Sequence, residues 1–229
     1  IFIKNEFFIQ NNKCLPDADY FFNSFSEAER FITSGYSKIL NLAELYLPKK
    51  IPKMIFIGGL SQSGKSLFAR VLKDYLSSDN KRSVSLCLDG FLNDNHNGGC
   101  FKDKYDLDRI LKKLNKLISQ NRVSWPNYNR VSKSVEKNLI INLKNIDHII
   151  IDGNYALLPE ISYGYNALKI SISINETIRK KRFFSEYQAR GYSCQSIKKL
   201  YNFRMKNEVI EINSLKQFSD VQIELNDNY

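Results

Sequence analysis

Glycines, a lysine and a serine occur together after an apolar run, at a spacing suited to holding phosphate groups. Residues 59–66, Gly-Leu-Ser-Gln-Ser-Gly-Lys-Ser, fit the pattern G-x-x-x-x-G-K-[ST] without a mismatch. The two glycines allow backbone N–H groups to point into one concavity. A helix that begins at the end of this segment would add partial positive charge at the same place. The segment is therefore predicted to bind phosphate.

The lysine and the serine of this loop indicate a nucleotide site rather than a structural turn. A turn that only begins a helix would explain the glycines, but it would not explain Lys65 and Ser66 together. We expect Lys65 to reach the β- and γ-phosphates of a nucleotide and Ser66 to bind Mg²⁺. The predicted cofactor-binding residues are Gly59, Ser61, Gln62, Ser63, Gly64, Lys65, Ser66 and Leu67.

Two aspartates that follow apolar runs could supply the other groups that phosphoryl transfer needs. Asp89 follows the run that ends at Leu88, and Asp152 follows Ile149–Ile151. Transfer to a hydroxyl needs a group that accepts the proton and a carboxylate that holds the metal. We assign Asp89 to the first role and Asp152 to the second, although Asp-Gly pairs also occur in ordinary turns. The predicted metal-binding residues are Ser66, Asp89 and Asp152.

The elements that must position these residues are short apolar strands separated by helices. Apolar runs predict strands at Met54–Ile57, Ser83–Leu88, His148–Ile151, Leu168–Ile174 and Val221–Leu225. Helical spacing predicts helices over 65–78, 106–120, 176–190 and about 194–210. Runs that are apolar on both faces and alternate with helices predict a parallel sheet covered on both sides. The phosphate loop and both aspartates then lie at the carboxyl ends of strands, where such sheets bind ligands.

Composition and charge narrow the class of protein. The chain has 229 residues, 43% of them hydrophobic, which is typical of a globular protein. Its four cysteines form no CxxC pair, so a zinc site or a redox motif is not expected. The net charge of +10 comes from dispersed basic residues. It is compatible with a nucleic-acid or membrane surface and with a site for anionic substrates such as nucleotides. We expect neither nucleic acid nor membrane as a partner, but this rests on the motifs rather than on the charge. No stretch is typical of a signal peptide, and we expect a cytoplasmic protein.

Other classes of phosphate-loop protein lack their signatures here. The Asn-Lys-x-Asp motif of GTP-specific switches fails at Ile118 in the segment 115–118, and no LSGGQ-type signature of transport ATPases is present. The chain is also short for a motor or a helicase. A small phosphotransferase that uses ATP is the class that is left.

The chain resembles the phosphoribulokinase/uridine kinase family of P-loop kinases, in particular its uridine kinase-like and pantothenate kinase-like members. The segment Leu88–Phe91 is similar to the Asp-Gly-Phe motif of these kinases, and Asp152–Leu158 is similar to Glu-Gly-Asn-Tyr-Leu-Leu-Leu near their Mg²⁺. Tyr105-Asp106 and Trp125–Asn129 resemble the Phe-Asp and Pro-x-Tyr-Asp segments of their acceptor site. The resemblance covers about residues 54–225.

The resemblance implies a three-layer α/β P-loop NTPase fold, with a mainly parallel five-stranded sheet and helices on both faces. It implies that ATP and Mg²⁺ are used to phosphorylate a hydroxyl of a small molecule: a nucleoside or sugar, or else a pantothenate-like vitamin. Lys181-Arg182 and Arg190-Gly191 resemble the ends of the family's lid helix, whose arginines neutralise the transferred group. The implied catalytic residues are Asp89, Lys65, Arg182 and Arg190. The implied substrate-binding residues are Asp89, Phe91, Tyr105, Asp106, Tyr128 and Arg130.

Several positions depart from the family pattern. Asp152 stands where the family has Glu, Asn129 replaces an Asp, and Ser185-Glu186 replaces Arg-Asp, so that one lid cation is missing. The histidine that follows Pro-x-Tyr-Asp in uridine kinases is absent, and a pair formed by Arg130 and Lys133 could favour an acceptor that already carries a carboxylate or a phosphate. The alternative function is a nucleotide-binding regulatory or assembly module without transfer activity.

Residues 1–50 lie outside the resemblance. Apolar runs predict a hairpin over Ile1–Gln10, and helical spacing from Ser24 to Leu47 predicts helices with a break near Gly35. Prolines at 48 and 52 indicate a boundary near residue 50. We expect an N-terminal extension over 1–50 and a P-loop kinase domain over 51–229. The extension could form a homodimer contact or a docking arm, and both alternatives stay open.

Overall fold

Strands and helices alternate along most of the chain. In this computed structural model the described residues are 2–3, 21–22, 35–78, 81–92, 104–129, 134–136 and 138–225. The strands are β1 (Phe2–Ile3), β2 (Phe21–Phe22), β3 (Met54–Gly58), β4 (Ser83–Cys87), β5 (Arg122–Trp125), β6 (Tyr128–Asn129), β7 (Ser134–Val135), β8 (Leu139–Asn142), β9 (His148–Asp152), β10 (Ala167–Ile174) and β11 (Val221–Leu225). The helices are α1 (Tyr36–Tyr46), α2 (Lys65–Ser78), α3 (Leu107–Ser119), α4 (Pro159–Ser162), α5 (Glu176–Ala189), α6 (Cys194–Asn207) and α7 (Val209–Ser214), with short 3-10 helices at Leu88–Phe91 and Leu215–Phe218.

The central sheet has five parallel strands in the order β11-β10-β3-β9-β4. Both β3 and β9 are buried along their full length, as strands covered on both faces must be. All five predicted strands are confirmed, and their bounds differ from the prediction by no more than one residue at either end. The register pairs Ile57 with Asp152, so the end of β9 lies level with the end of β3.

Helices cover both faces of this sheet and produce two hydrophobic cores. Successive residues of a strand point to opposite faces. Phe56 therefore packs with Ile110 of α3 and Ile212 of α7, whereas Ile57 packs with residues of α1 and α2 such as Phe68. The three-layer α/β fold with a mainly parallel sheet is confirmed. Helix α2 has the predicted bounds, and α3 and α5 end within one residue of theirs.

The last predicted helix is interrupted. Residues 194–210 were expected to form one helix, but α6 ends at Asn207 and α7 begins only at Val209. The backbone of Glu208 between them has φ −105° and ψ −43°. Its side chain points into the protein, where it accepts hydrogen bonds from another part of the chain. The interruption thus falls at the residue whose side chain makes this tertiary contact.

The N-terminal fifty residues are described in part. Helix α1 confirms the second half of the helical stretch predicted between Ser24 and Leu47, and it begins after Gly35, where the break was expected. The predicted hairpin over Ile1–Gln10 lies outside the described residues except for β1, which pairs in parallel with β2. None of the helices in the described ranges combines the length and apolar character that crossing a bilayer requires.

Candidate active site

The loop between β3 and α2 has a backbone that only glycine can supply at two positions. Gly59 has φ +152°, and a Cβ atom there would lie 2.2 Å from the carbonyl oxygen of Ile172. Gly64 has φ +91°, and Gln62 at the apex of the loop also has a positive φ of 67°. The first hydrogen bond of α2 runs from Phe68 N–H to the Gly64 oxygen over 2.9 Å. The backbone of the loop therefore forms a tight turn that leads directly into the N-terminus of α2.

Two of the three residues that were predicted to bind Mg²⁺, Ser66 and Asp152, are in contact, and metal binding by Asp89 stays a prediction. The Ser66 hydroxyl donates a hydrogen bond of 2.5 Å to Oδ2 of Asp152, which is 3% exposed. Their oxygens are of the hard type that Mg²⁺ prefers. Within the described ranges no group of three or more His, Cys, Asp or Glu residues could hold a metal. One hydroxyl and one carboxylate suit a Mg²⁺ that takes its remaining ligands from phosphates and water.

The lysine of the loop is folded back over it. Lys65 is 8% exposed, and its ammonium group lies 3.4 Å from the carbonyl oxygen of Leu60. Its charge therefore lies over the concavity formed by the loop. This is the place where the phosphates of a nucleotide were predicted to bind.

Asp89 belongs to the turn that follows β4, and β9 lies between β4 and the strand that leads into the phosphate loop. Strand β4 ends at Cys87 rather than at Leu88, and Asp89 is part of the 3-10 helix that follows. The strand predicted over Ser83–Leu88 is therefore one residue shorter than expected, and Asp89 does not follow it directly. Its Oδ1 accepts a hydrogen bond of 3.2 Å from the Tyr105 hydroxyl. Burial, and then the negative charge of Asp89, raise the pKa of Tyr105 well above its ordinary value, so this tyrosine keeps its proton and its role as donor.

The segments that resemble an acceptor site pack around this turn. A Cβ atom at Gly90 would lie 2.7 Å from the Pro126 oxygen, so the turn rests directly on the segment 125–129. Phe91 and Trp125 are each 1% exposed and meet edge to face with ring centroids 5.0 Å apart. Both are therefore core residues, and the predicted contact of Phe91 with substrate stays a prediction.

The other predicted acceptor residues have different placements. Asp106 is the N-cap of α3, where its side chain accepts a hydrogen bond of 3.0 Å from Arg109 N–H. Tyr128 lies on β6 and is half-buried, close enough to Tyr187 of α5 to influence its pKa. Arg130, like Lys133, lies outside the described residues.

Helix α5, which the family resemblance predicts to be the lid helix, reaches the phosphate loop. An Nη atom of Arg182 lies 3.6 Å from the position that a Cβ of Gly64 would take. Glu186 accepts hydrogen bonds from the Gln62 side chain at the apex of the loop and from Arg190. Arg182 therefore lies beside the loop. Arg190 forms an ion pair with Glu186, which in turn contacts the loop apex.

Four residues that the sequence did not single out surround Ser61. Arg179 is 2% exposed, donates to the Ser61 oxygen over 3.4 Å, and forms an ion pair of 2.7 Å with Glu176. Arg204 donates to the Ser61 hydroxyl over 3.1 Å. The remaining two residues, Asn154 and Glu208, bond to each other beside Ser61. Arg179 lies in the helix predicted over 176–190, and its burial distinguishes it from its exposed neighbours Lys180 and Lys181.

Comparisons with solved structures agree with this fold. A proposed fructose transport system kinase from Silicibacter sp. TM1040 superposes with a TM-score of 0.62 at 17% identity, covering 82% of this chain and 98% of that one. A proposed uridine kinase from Bacillus stearothermophilus gives 0.53 at 17% identity, with 82% and 97% covered. YFH7 from Saccharomyces cerevisiae, a proposed P-loop kinase with a circular permutation, gives 0.57 at 12% identity, with 85% and 98% covered. No curated protein matches the sequence.

The match to a family is more specific than the match to a fold. The family model named phosphoribulokinase/uridine kinase matches residues 54–228. That span contains the phosphate loop, both aspartates and the lid arginines. Together the family and the fold support a small-molecule kinase as the class of activity. The chain belongs to the phosphoribulokinase/uridine kinase family.

Proposed function

We propose that this protein transfers the γ-phosphoryl group of Mg·ATP to a hydroxyl of a nucleoside, a sugar or a related small metabolite. The observation that carries the proposal is the contact of 2.5 Å between Ser66 of the phosphate loop and Asp152 at the end of the neighbouring strand. A hydroxyl and a carboxylate in this position suit the Mg²⁺ that accompanies nucleotide phosphates. A loop that only began a helix would have no use for this pair.

The residues of the cleft divide the work of such a transfer. The N–H groups of the loop and the Lys65 ammonium bind the phosphates, and Ser66 and Asp152 would hold Mg²⁺. Bound Mg²⁺ would neutralise charge on the phosphates. Arg182 lies beside Gly64 and is placed to stabilise charge on the transferred group. The protein thus contributes position and electrostatics rather than a covalent intermediate.

Asp89 is the residue that we assign to the acceptor hydroxyl. Its carboxylate lies on the turn after β4. Only β9 separates β4 from β3, the strand that leads into the phosphate loop. The Tyr105 hydroxyl binds Oδ1 and fixes the rotation of the carboxylate. The carboxylate would accept the hydroxyl proton as the oxygen attacks the γ-phosphorus and the bond to the β-phosphate oxygen breaks, which leaves ADP.

A second function is favoured by one observation on the lid. The Glu186 carboxylate binds both the loop apex at Gln62 and the lid arginine Arg190. It therefore offsets charge that a kinase would direct at the transferred group. A nucleotide-binding module without transfer activity would keep such a pairing, because it needs a closed lid but no stabilisation of a transition state.

An assay of acceptor-dependent ADP release tests the proposal. Mg·ATP would be offered with nucleosides, sugars, sugar phosphates and pantothenate, and Asp89→Asn would be compared with Asp108→Asn. Asp108 is a matched control because it is exposed in the first turn of α3. We expect Asp89→Asn to lower turnover by about a hundredfold or more while Mg·ATP binding is kept, as loss of a general base does. Tight nucleotide binding without turnover on any acceptor would instead support the module.

A further inference from the structure

A buried carboxylate lies against the phosphate loop on the side of α6 and α7. Glu208, between these helices, is 0% exposed. Its Oε1 accepts hydrogen bonds from the Ser61 N–H over 3.2 Å, from the Ser61 hydroxyl over 2.5 Å and from the Asn154 amide over 3.2 Å. Its Oε2 lies 3.9 Å from Nε of Arg204 and has no hydrogen-bond partner within the described part of the chain. The proposed transfer reaction gives this residue no role.

The surroundings of Glu208 explain how the charge is tolerated there. Burial of a carboxylate is costly unless donors and cations surround it. Arg204 forms an ion pair with it, and the cations of Arg179 and Lys104 also lie close enough to interact with its charge. An apolar side chain of the same volume would often serve stability equally well. The specific donors that Glu208 meets, rather than packing, therefore account for a carboxylate at this position.

These donors belong to the two segments that are central to phosphate and metal binding. Ser61 is the third residue of the phosphate loop, and Asn154 follows Asp152 by two positions. Glu208 thus joins the loop, the segment after β9 and the junction of α6 with α7. Because it binds both the N–H and the hydroxyl of Ser61, it fixes the backbone and the side chain of this loop residue together.

We propose that Glu208 is a positioning residue that orders the phosphate loop through Ser61 and thereby sets the affinity of the loop for nucleotide phosphates. It acts on Ser61 and has no part in the transfer itself. The proposal rests on the nucleotide site of the proposed function, but it does not require that an acceptor be phosphorylated. Its effects therefore belong to nucleotide binding, which can be measured without turnover.

A double-mutant cycle on Mg·ADP affinity, measured by titration calorimetry, tests this. We expect Glu208→Ala to weaken binding by about tenfold, the effect of losing a charged hydrogen-bond acceptor. Glu208→Gln keeps an acceptor oxygen and should recover part of the loss. In the Ser61→Ala background, Glu208→Ala should have a smaller effect, because the hydroxyl contact is already gone.

Glu211→Ala is the matched control. Glu211 lies one turn further on in α7 and binds the Tyr155 hydroxyl over 2.6 Å. It should change thermal stability at most and leave Mg·ADP affinity unchanged. If Glu208→Ala does not fold, the same cycle is run with Glu208→Gln, with a smaller expected loss of about threefold.

Three results would overturn the positioning role. The first is unchanged affinity in a folded Glu208 variant. The second is full additivity with Ser61→Ala, which would mean that Glu208 does not act through Ser61. The third is tighter nucleotide binding, which would mean that the carboxylate competes with phosphate. Absence of turnover in every variant, with the predicted affinities, would refute the kinase proposal and leave this one standing.

Discussion

At the scale of single residues, two separate constraints require glycine at position 59, where the phosphate loop begins: its backbone φ and the lack of space for a side chain. Its φ of +152° is rarely adopted by residues with a side chain, and the space where a Cβ would lie is filled by the Ile172 oxygen at 2.2 Å. The second constraint comes from β10, the strand next to β3. The loop can therefore lie close against this strand only because residue 59 has no side chain.

Gly59→Ala is predicted to disturb nucleotide binding as well as the fold. The added methyl group must push the loop away from Ile172, so we expect Mg·ADP affinity to fall by at least about tenfold, the scale of a clash worth more than 1.4 kcal/mol. Gly164→Ala is the matched control. It also has a positive φ, of +85°, but nothing lies within 4 Å of its added Cβ. It should cost stability of about 1 kcal/mol and leave affinity unchanged. Equal loss of affinity in both variants would contradict this account.

The sequence predicts residues of the site well where a motif is local and poorly where a contact is distant. Ser66 belongs to a motif of eight consecutive residues, and Asp152 follows a strand whose position in the sheet can be anticipated. Glu208 has no such signal, because its partner Ser61 is 147 residues away in the chain. For Phe91, its place in a motif gave no information about its burial against Trp125, and its role toward substrate stays a prediction.

At the scale of elements, the lid helix α5 is tied to α6 through one carboxylate. Glu176, in the first turn of α5, accepts hydrogen bonds from Arg179 and from Tyr201 of α6. Burial by itself would raise the pKa of Glu176, but these two donors outweigh it, and the pKa lies below its ordinary value of 4.5. Burial, together with the hydrogen bond to Glu176, raises the pKa of Tyr201 to about 12.

The depressed pKa of Glu176 predicts how stability depends on acid. A carboxylate whose pKa is lower in the folded than in the unfolded chain contributes stability above its unfolded pKa, and that contribution is lost as pH falls through the folded value. We expect the melting temperature of the native chain to exceed that of Glu176→Gln at pH 7, and the difference to shrink below about pH 4.5. Melting curves from pH 7 to pH 3 measure this. Glu224→Gln, on the exposed side of β11, is the control, and a gap of constant size down to pH 3 would refute the prediction.

The helices also show where periodic patterns stop being informative. Helix α2 follows from its apolar spacing, and its predicted bounds are confirmed. The break between α6 and α7 does not follow, since the pattern around Glu208 continues as if one helix ran through it. The side chain of Glu208 makes a tertiary contact there, and no window of neighbouring residues contains information about such a contact.

At the scale of the whole molecule, α1 belongs to the same core as the sheet. Ile39 and Ala43 are each 0% exposed and pack with residues of β3 and α2 in the second hydrophobic core. The segment over 36–46 is thus part of the structural support of the phosphate loop, which begins and ends on β3 and α2. The expected division of the chain near residue 50 stays a prediction, and so does a dimer or docking role for residues 1–50.

Truncation of the Ile39 side chain is predicted to lower the free energy of unfolding of the domain that carries the phosphate loop. Ile39→Ala removes a fully buried side chain, which costs about 2–5 kcal/mol in a packed core. Leu45→Ala on the same helix is the control, because Leu45 is 73% exposed and should change the free energy of unfolding by less than about 0.5 kcal/mol. Urea denaturation of both variants measures the difference. Similar small losses in both would mean that α1 is not part of the cooperative unit.

The contact between Ser61 and Glu208 has a consequence for the order of events during synthesis. Its two partners are 147 residues apart in the sequence, so we expect this contact to form late in folding. A nascent chain that has emerged only as far as α5 already carries the complete glycine-rich motif, yet it lacks the carboxylate that holds Ser61 in place. Because the chain is made from its amino end, the motif is synthesised well before the residue that we propose to order it. If Glu208 has the proposed positioning role, a growing chain is expected to bind nucleotide weakly until the residues after α6 have been synthesised.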